Sequence, residues 1–478
     1  MPGKGSSDDA DTRGVLIRAD NGDVIAFDET GLILKLSDRV VDELRTRLGT
    51  APAADPLDVL GDIDAWDLRQ EGDWYRFTAR IDDTPRGYQR RVEGGDIIAA
   101  AAGPLYGVLS LGGARRAGFN TGGPDFRHNV LAPGDHIGAV GLEGTDDAKP
   151  TDRLQAIPHA TRDTLIADTL LGWRHTARQA LPLFLTRTET DGTADVAALG
   201  DGRGYANFLS AADSLVAAAA SLGKRPRVLA VGLDYGLEDV VSDSAALVRG
   251  LRALMARVER DFNQRGLHRP IFVATFESGT IEIDSHPVIA AHWELAWQHG
   301  AHDLVFSAPA YMFDIGRFGR PTDPARIRMA EMDAHAIAAR LNREDWLCPL
   351  FLLAEYDGPR IRVTARALDD LVIDPADPFG AGPACGFSLA GTDAPVTITT
   401  VEVAADDPRA LILTCDRTPT GAAAELRYAF GAVARGDDRP ANRGAVRDGW
   451  SAASRTGGAA LHRWAYPCAL PLHPGAAS

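Results

Sequence analysis

Five short apolar segments alternate with longer amphipathic segments, and this alternation most constrains the fold of the chain. The apolar segments have the length of buried strands, and they lie at 107–111, 181–186, 227–232, 271–275 and 304–309. The segments with helical periodicity lie at 162–178, 205–222, 243–264, 288–300 and 324–342. Alternation of this kind predicts an α/β domain with a doubly wound parallel sheet and helices on both of its faces.

The regions on either side of this alternating segment have different sequence patterns, and these patterns divide the 478 residues into four predicted parts. Residues 1–14 are polar and acidic and predict a flexible arm. Residues 15–90 predict a small N-terminal α+β region, and 91–353 hold the α/β domain. From 354 to 478, Pro, Gly and short alternating runs predict a β-rich C-terminal domain of the β-sandwich type.

Charge and composition exclude several classes of function. The net charge of −16 argues against a nucleic-acid-binding surface. No run of about 18 apolar residues is present, which argues against membrane insertion. The four cysteines form no CxxC pair, so we expect reduced thiols and no metal site. The glycines at 200, 202 and 204 lack the preceding strand of a dinucleotide site, and we expect no cofactor.

A glycine-rich turn follows the first strand of the predicted sheet, at the edge where ligands usually bind. When this turn is aligned with a G-Q-S-x-x-x-G motif, the letters G, Q, S and the final G fall in order on Gly112, Gly113, Ala114 and Gly118. This segment resembles the first sequence block of the SGNH/GDSL hydrolase superfamily, in the branch similar to sialate O-acetylesterases. The resemblance implies a three-layer α/β fold and places the family's nucleophilic serine at Ala114, which has no hydroxyl group to attack a carbonyl carbon.

Two later blocks of the same resemblance also depart from the family. The segment 231–236 is similar to the block that supplies an oxyanion donor. If Asp234 holds the donor's position it brings a negative charge, and if it holds the family's aspartate position the preceding glutamate is missing. In the frame of the D-x-x-H block, the aspartate and histidine positions hold Arg317 and Arg320. Arginine stays protonated and cannot act as a general base. The resemblance therefore implies a degenerate hydrolase with no intact catalytic set, and an enzyme is the less favoured expectation.

Alternatives from the residues themselves stay open. Ser110 could be a shifted nucleophile with His286 as a displaced base, although a strand residue facing the sheet and a solvated or capping histidine are the simpler interpretations. Glu238 and Asp239 are expected to serve the start of the helix at Asp243.

Cationic residues gather on the loops that this resemblance brings together. The predicted ligand-binding set is Arg115, Arg116, Asp234, Tyr235, Arg317 and Arg320. Guanidinium groups favour an anionic ligand, such as an acidic sugar or a partner's carboxylate. The alternative is that the arginines pair with Asp234, Asp314 and Asp323 and hold the loops.

These expectations combine into a predicted function. It is a non-catalytic carbohydrate-binding structural component, a spike or fibre, of a phage-like particle or gene transfer agent, and it recognises bacterial surface polysaccharide beside other particle proteins in an oligomer. The reason is that proteins with esterase-like folds normally act on substrates outside the cell, whereas the polar and acidic N-terminal residues predict no signal peptide. We therefore expect synthesis in the cytoplasm and release in a virion-like particle. The alternative is a carbohydrate O-acetylesterase with a displaced serine nucleophile.

Overall fold

The computed structural model describes most of the chain. The described residues are 14–19, 22–28, 31–34, 60–61, 63–82, 84–141, 147–279, 286–316, 319–430 and 442–475. The chain separates into two compact units. Unit 1 comprises Met1–Leu68 and Phe77–Pro85, and unit 2 comprises Arg69–Arg76 and Arg86–Ser478.

The N-terminal strands are short and antiparallel. In unit 1, β1 (Gly14–Ala19), β2 (Gly22–Asp28) and β3 (Gly31–Leu34) form a three-stranded sheet in that order. The next strands along the chain are β4 (Ala65–Glu71), β5 (Trp74–Asp82), β6 (Thr84–Arg91) and β7 (Ile98–Ala99). Within unit 2, β6 pairs with β7 in antiparallel register.

A seven-stranded sheet forms the centre of unit 2. Its strands and their near neighbours are β8 (Leu105–Gly112), β9 (Phe119–Thr121), β10 (Val130–Pro133), β11 (Leu154–Gln155), β12 (His159–Thr161), β13 (Leu183–Thr190), β14 (Pro226–Gly232), β15 (Ile271–Phe276) and β16 (Leu304–Pro309). The order is β11-β10-β13-β8-β14-β15-β16, with β9 and β12 paired separately. Every pairing in this sheet is parallel except β10 with β11. The five predicted strands are therefore confirmed as neighbours in one parallel sheet.

Helices cover both faces of this sheet. They are α1 (Arg162–Thr176), α2 (Arg203–Ser221), α3 (Ser244–Gln264), α4 (His286–Trp297) and α5 (Asp323–Leu341). On β8, a Cβ atom at Gly107 would touch Leu215 of α2, whereas Ser110 bonds to Asp163 of α1. Because neighbouring side chains of a strand point to opposite faces, residues 107 and 110 place α2 and α1 on opposite sides.

Hydroxyl and carboxylate caps fix where three of these helices begin. The side chains of Thr161, Asp243 and Thr322 accept backbone N–H groups from the first turns of α1, α3 and α5. Within the part of the chain that the structure describes, no helix is both long enough and apolar enough to cross a membrane.

The C-terminal strands form two further sheets. They are β17 (Leu350–Asp357), β18 (Arg360–Arg366), β19 (Leu371–Ile373), β20 (Phe387–Ala390), β21 (Ile398–Ala404), β22 (Asp407–Cys415), β23 (Glu425–Tyr428), β24 (Val446–Ala452), β25 (Leu461–Trp464) and β26 (Cys468–Pro474). One sheet has the order β20-β23-β26-β17-β18-β22-β21, and the other has β19-β24-β25. The mixed α/β class is confirmed, whereas the four-part layout stays a prediction.

Candidate functional site

Three loops meet at the carboxyl edge of the parallel sheet. The N–H of Gly113, after β8, donates to the carbonyl oxygen of Asp234, after β14, at 2.8 Å. A Cβ atom built at Gly319, before α5, would lie 3.5 Å from the Cβ of Ala114. The glycine turn, the Asp234 segment and the loop before α5 are thus neighbours, as the order of the sequence blocks implies. Arg317 lies outside the described residues.

The carboxylate of Glu238 lies directly on the turn that holds Ala114. It accepts the backbone N–H of Ala114 and, at 3.3 Å, that of Gly236. A Cβ atom at Gly113 would lie 2.0 Å from the Glu238 carboxyl carbon, so only glycine leaves room for this contact. Burial raises the pKa of Glu238, and the charge of Glu277 adds to that effect, although the amide hydrogen bonds oppose it.

This contact corrects the role expected for Glu238 at the start of α3. Asp243 caps that helix, accepting the N–H of Ala246 at 2.7 Å. Asp239 instead accepts the N–H groups of Val196 and Ser242 and so holds its own loop together. Glu238 instead accepts the backbone N–H groups of Ala114 and Gly236 and takes no part in this cap. It is a half-buried, titratable carboxylate beside Ala114 that sequence reasoning did not select.

Beneath these loops lies an ion-pair cluster with almost no solvent exposure. It consists of Arg116, Arg162, Asp163, Asp234 and Asp333. Arg116 lies within 4 Å of all three aspartates, and Arg162 pairs with Asp234 and Asp333 at 2.9 and 2.7 Å. Burial alone would raise the pKa of Asp234, but the two guanidinium groups and the N–H of Thr275 outweigh it and lower that pKa.

The cluster also holds Ser110. The hydroxyl of Ser110 donates to Asp163, which accepts a second hydrogen bond from Thr188 at 2.6 Å. The Ser110 side chain is fully buried. Because a serine hydroxyl carries a single hydrogen, a Ser110 that donates to Asp163 does not donate to a histidine.

Arg115 belongs to a second buried pair. Its Nε donates to the Glu277 carboxylate at 3.1 Å, and a further nitrogen donates to the carbonyl oxygen of Gly319. The backbone N–H of Glu277 donates in turn to Nδ1 of His292 at 3.0 Å. Burial lowers the pKa of His292 to about 4. Arg115 therefore connects the glycine turn to the loop before α5.

The remaining predicted site residues are dispersed. Tyr235 is buried, and its hydroxyl donates to the carbonyl oxygen of Ala194. His286 begins α4, and its ring stacks on Phe430 with 4.3 Å between the ring centroids. Arg320 is exposed on the loop before α5, and its carbonyl oxygen accepts the N–H of Gly316 at 2.8 Å. Ligand binding by the predicted set stays a prediction, as does the loss of catalysis.

Four members of the buried pairs had not been selected from the sequence. They are Arg162, Asp163, Glu277 and Asp333. The sequence does contain a feature that could have identified three of them. Asp333 is a charged residue on the inner face of a helical segment, and Arg162 and Asp163 lie at the start of another helical segment. Among the described residues, no group of His, Cys, Asp and Glu side chains is arranged to hold a metal ion.

No protein-family model and no curated protein matches the chain. Among solved structures, a carbohydrate acetylesterase from Xanthomonas citri aligns with 84% of this chain and 86% of its own, at a TM-score of 0.51 and 14% sequence identity. The chain has the fold of that acetylesterase. A family two carbohydrate esterase from Clostridium thermocellum, solved with cellohexaose, aligns with 59% of this chain and 88% of its own, at a TM-score of 0.27 and 12% identity. The latter likeness is too low to carry an argument.

The expected function is corrected by this finding. The expectation of a non-catalytic spike or fibre component of a phage-like particle or gene transfer agent is contradicted, since a solved structure that shares this fold is described as a carbohydrate acetylesterase. The expectation rested on the residues at 114, 317 and 320, and replaced residues at family positions do not exclude an active site built from neighbouring groups.

Proposed function

We propose that the protein is a carbohydrate O-acetylesterase that works at the carboxyl edge of its parallel sheet, with Glu238 in place of the absent serine. The shared fold with an acetylesterase supports the class of reaction. The contact between the Glu238 carboxylate and the Ala114 amide carries the proposal, because it puts a titratable group where the three loops meet.

Glu238 would act as a general base on water. The ionised carboxylate takes a proton from a water molecule as the water oxygen attacks the acetyl carbonyl carbon, which forms a tetrahedral oxyanion. The bond between that carbon and the sugar oxygen then breaks. The sugar oxygen takes that proton from Glu238 and leaves as a free hydroxyl group, while acetic acid leaves and ionises in water to acetate. No covalent enzyme intermediate forms, so no serine is required.

Two features of the site suit this chemistry. A carboxylate with a raised pKa is a stronger base than an ordinary glutamate, and burial supplies that increase. The exposed Arg320 follows Gly319, which lies near Ala114, and the positive charge of Arg320 would stabilise the oxyanion. This role retains Arg320 as a ligand-binding residue, now for the ester carbonyl oxygen.

The displaced-serine alternative makes a different prediction. Ser110 would need to leave Asp163 and reach solvent before it could attack an ester, and its hydroxyl is fully buried. If Ser110 were the nucleophile, an acetyl group would reside on the enzyme during turnover. The two mechanisms can therefore be separated by the mass of the protein.

The test is acetate release from 4-nitrophenyl acetate and from an O-acetylated polysaccharide. We expect Glu238→Gln to lower kcat at least about a hundredfold, the size typical of a lost general base. Glu402→Gln, on the exposed face of β21, is the matched control and keeps full activity. Intact-protein mass spectrometry of quenched turnover should show no added acetyl group.

Two results would overturn the proposal. One is the absence of acetate release from any acetylated carbohydrate by the unaltered protein. The other is full activity in Glu238→Gln together with loss in Ser110→Ala or His286→Ala, which would establish the displaced-serine mechanism instead.

A further inference from the structure

A cavity of about 100 Å³ opens at the opposite end of the sheet from these loops. It is lined by the end of α4, the first residues of β16, the segment after α5 and the end of β18. Because β16 is parallel to its neighbours, its first residues lie at the amino edge, whereas the loops around Ala114 lie at the carboxyl edge. The cavity is therefore separate from the proposed catalytic site.

An exposed tryptophan forms one wall of the cavity. Trp297 ends α4 and remains 43% exposed, so part of its indole ring is open to solvent. The guanidinium carbon of Arg366 lies 6.0 Å from the centre of that ring. An exposed indole ring beside a guanidinium group suits a ligand with one apolar face and a polar edge, and a sugar ring has both.

The charged groups of the cavity favour an anionic ligand. Arg340 and Arg366 line it, and Asp345 is the acid among the lining residues. Arg340 is held by Asp303 at 2.8 Å and lies 3.6 Å from Asp345. Arg366 forms no ion pair with any described residue, so its guanidinium is available to a carboxylate.

A polar atom at the same place also lacks a partner. Nδ1 of His299 is buried and makes no hydrogen bond to any described residue. Buried polar atoms are normally bonded, so this nitrogen is an unsatisfied group within the wall, behind the surface that faces the cavity. The neighbouring Trp346 already donates its Nε1 hydrogen to the carbonyl oxygen of Ser307 at 3.0 Å and is fixed as part of the wall.

We propose that this cavity binds one ring of an acidic polysaccharide, a uronic acid, whose face stacks on Trp297 and whose carboxylate pairs with Arg366. The small volume accommodates part of a single ring, and the open side lets the polysaccharide chain continue into solvent. The site goes beyond the proposed esterase activity and does not depend on it, although it would keep a polysaccharide substrate bound between reactions.

The test is titration of the full-length protein with galacturonic acid disaccharide, followed by calorimetry and by tryptophan fluorescence. We expect saturable binding with a dissociation constant on the order of millimolar, as is usual for one small polar ligand. Cellobiose, which is neutral, and acetate, which has a carboxylate but no ring, are expected to bind at least about tenfold more weakly.

Matched variants assign the binding to this cavity. Trp297→Ala should abolish the binding, and Arg366→Gln should weaken it about tenfold, because the charge-assisted pair is lost. The controls are Trp66→Ala, another exposed tryptophan, and Arg360→Gln, an exposed arginine on the same strand as Arg366. Both controls should bind as the unaltered protein does.

The outcomes separate this site from the esterase proposal. Uronate binding that survives Trp297→Ala, or no binding by a protein that still releases acetate, would overturn the cavity proposal alone. If the unaltered protein binds uronate but releases no acetate, and Trp297→Ala abolishes the binding, the result would support the cavity proposal and contradict the esterase proposal.

Discussion

Nε of Arg116 lies 2.7 Å from Oδ2 of Asp234, and both side chains are at least 99% buried. The contact is an ion pair rather than a well-aligned hydrogen bond, because the Nε atom has no hydrogen-bond partner among the described residues. Burial alone would lower the pKa of Arg116, but the charges of Asp234, Asp333 and Asp163 outweigh it and raise that pKa. The glycine turn is thus tied to the Asp234 segment by charge beneath the site.

Arg116→Met should therefore destabilise the fold strongly. The substitution leaves the buried aspartates of the cluster with one guanidinium group instead of two. Removal of one partner from a buried ion pair lowers the free energy of unfolding by about 3–5 kcal/mol. Chemical denaturation followed by circular dichroism measures the loss. Arg269→Met is the control, because Arg269 pairs with Glu259 while 58% exposed, and such pairs contribute about 0–1 kcal/mol. Equal losses in the two variants would show that the cluster is not a principal source of stability.

His292 should make the fold sensitive to mild acid. Its pKa is lowered from 6.5 to about 4 by burial, which outweighs the charges of Glu277 and Asp234. The folded state therefore binds fewer protons than the unfolded state. The contribution of neutral His292 to the free energy of unfolding is fully present above pH 6.5. It decreases by on the order of 3 kcal/mol as the pH falls toward 4.

The measurement is the melting temperature from pH 7.5 to pH 4.5 for the unaltered protein and for His292→Gln. Glutamine does not titrate, and its oxygen can accept the Glu277 N–H that Nδ1 accepts now. We expect the variant to begin less stable and to lose less stability as the pH falls. The exposed His473→Gln is the control and should keep the full pH dependence. An unchanged pH dependence in His292→Gln would contradict the assignment.

The parallel sheet was predictable because its signal is local. Each predicted strand is a short apolar run, and residues 107–111 and 227–232 fall inside β8 and β14. The edge pairing of β10 with β11 was not predicted, since two strands of four and two residues carry too little periodicity to stand out. The strands of the C-terminal sheets were partly foreseen, but their order depends on contacts distant in sequence.

The site was less predictable than the fold. The resemblance placed Ala114, Asp234 and Arg320 on neighbouring loops, and the described residues agree with that placement. It gave no reason to select Glu238, which lies 124 residues after Ala114 and looks like an ordinary loop acid. Nor could it assign Arg116 to three aspartates, because pairing among buried charges is set by packing rather than by spacing.

Gly113→Ala tests the close approach of Glu238. The added Cβ would lie 2.0 Å from the Glu238 carboxyl carbon, so the loop must move, and overpacking of this kind costs about 1–3 kcal/mol. Adding Glu238→Ala to the same chain removes the obstructing group and should recover most of the stability. Gly204→Ala, where the nearest atoms lie at 3.6 Å, is the tolerated control. A double variant no more stable than Gly113→Ala would show that another group opposes the Cβ.

The pH dependence of acetate release tests Glu238 most directly. A general base acts only when it is ionised, so kcat/KM should rise as the pH increases through the pKa of Glu238. Burial raises that pKa, and the charge of Glu277 adds to it, so the acidic limb should lie at a higher pH than for an ordinary glutamate, whose pKa is 4.5. Glu277 has its own guanidinium partner in Arg115, at 3.1 Å, and stays in place when Glu238 is changed. In Glu238→Gln the remaining activity should lose the acidic limb, whereas Glu238→Asp should keep a limb with a lower kcat. An acidic limb that persists unchanged in Glu238→Gln would assign the titrating base to another residue.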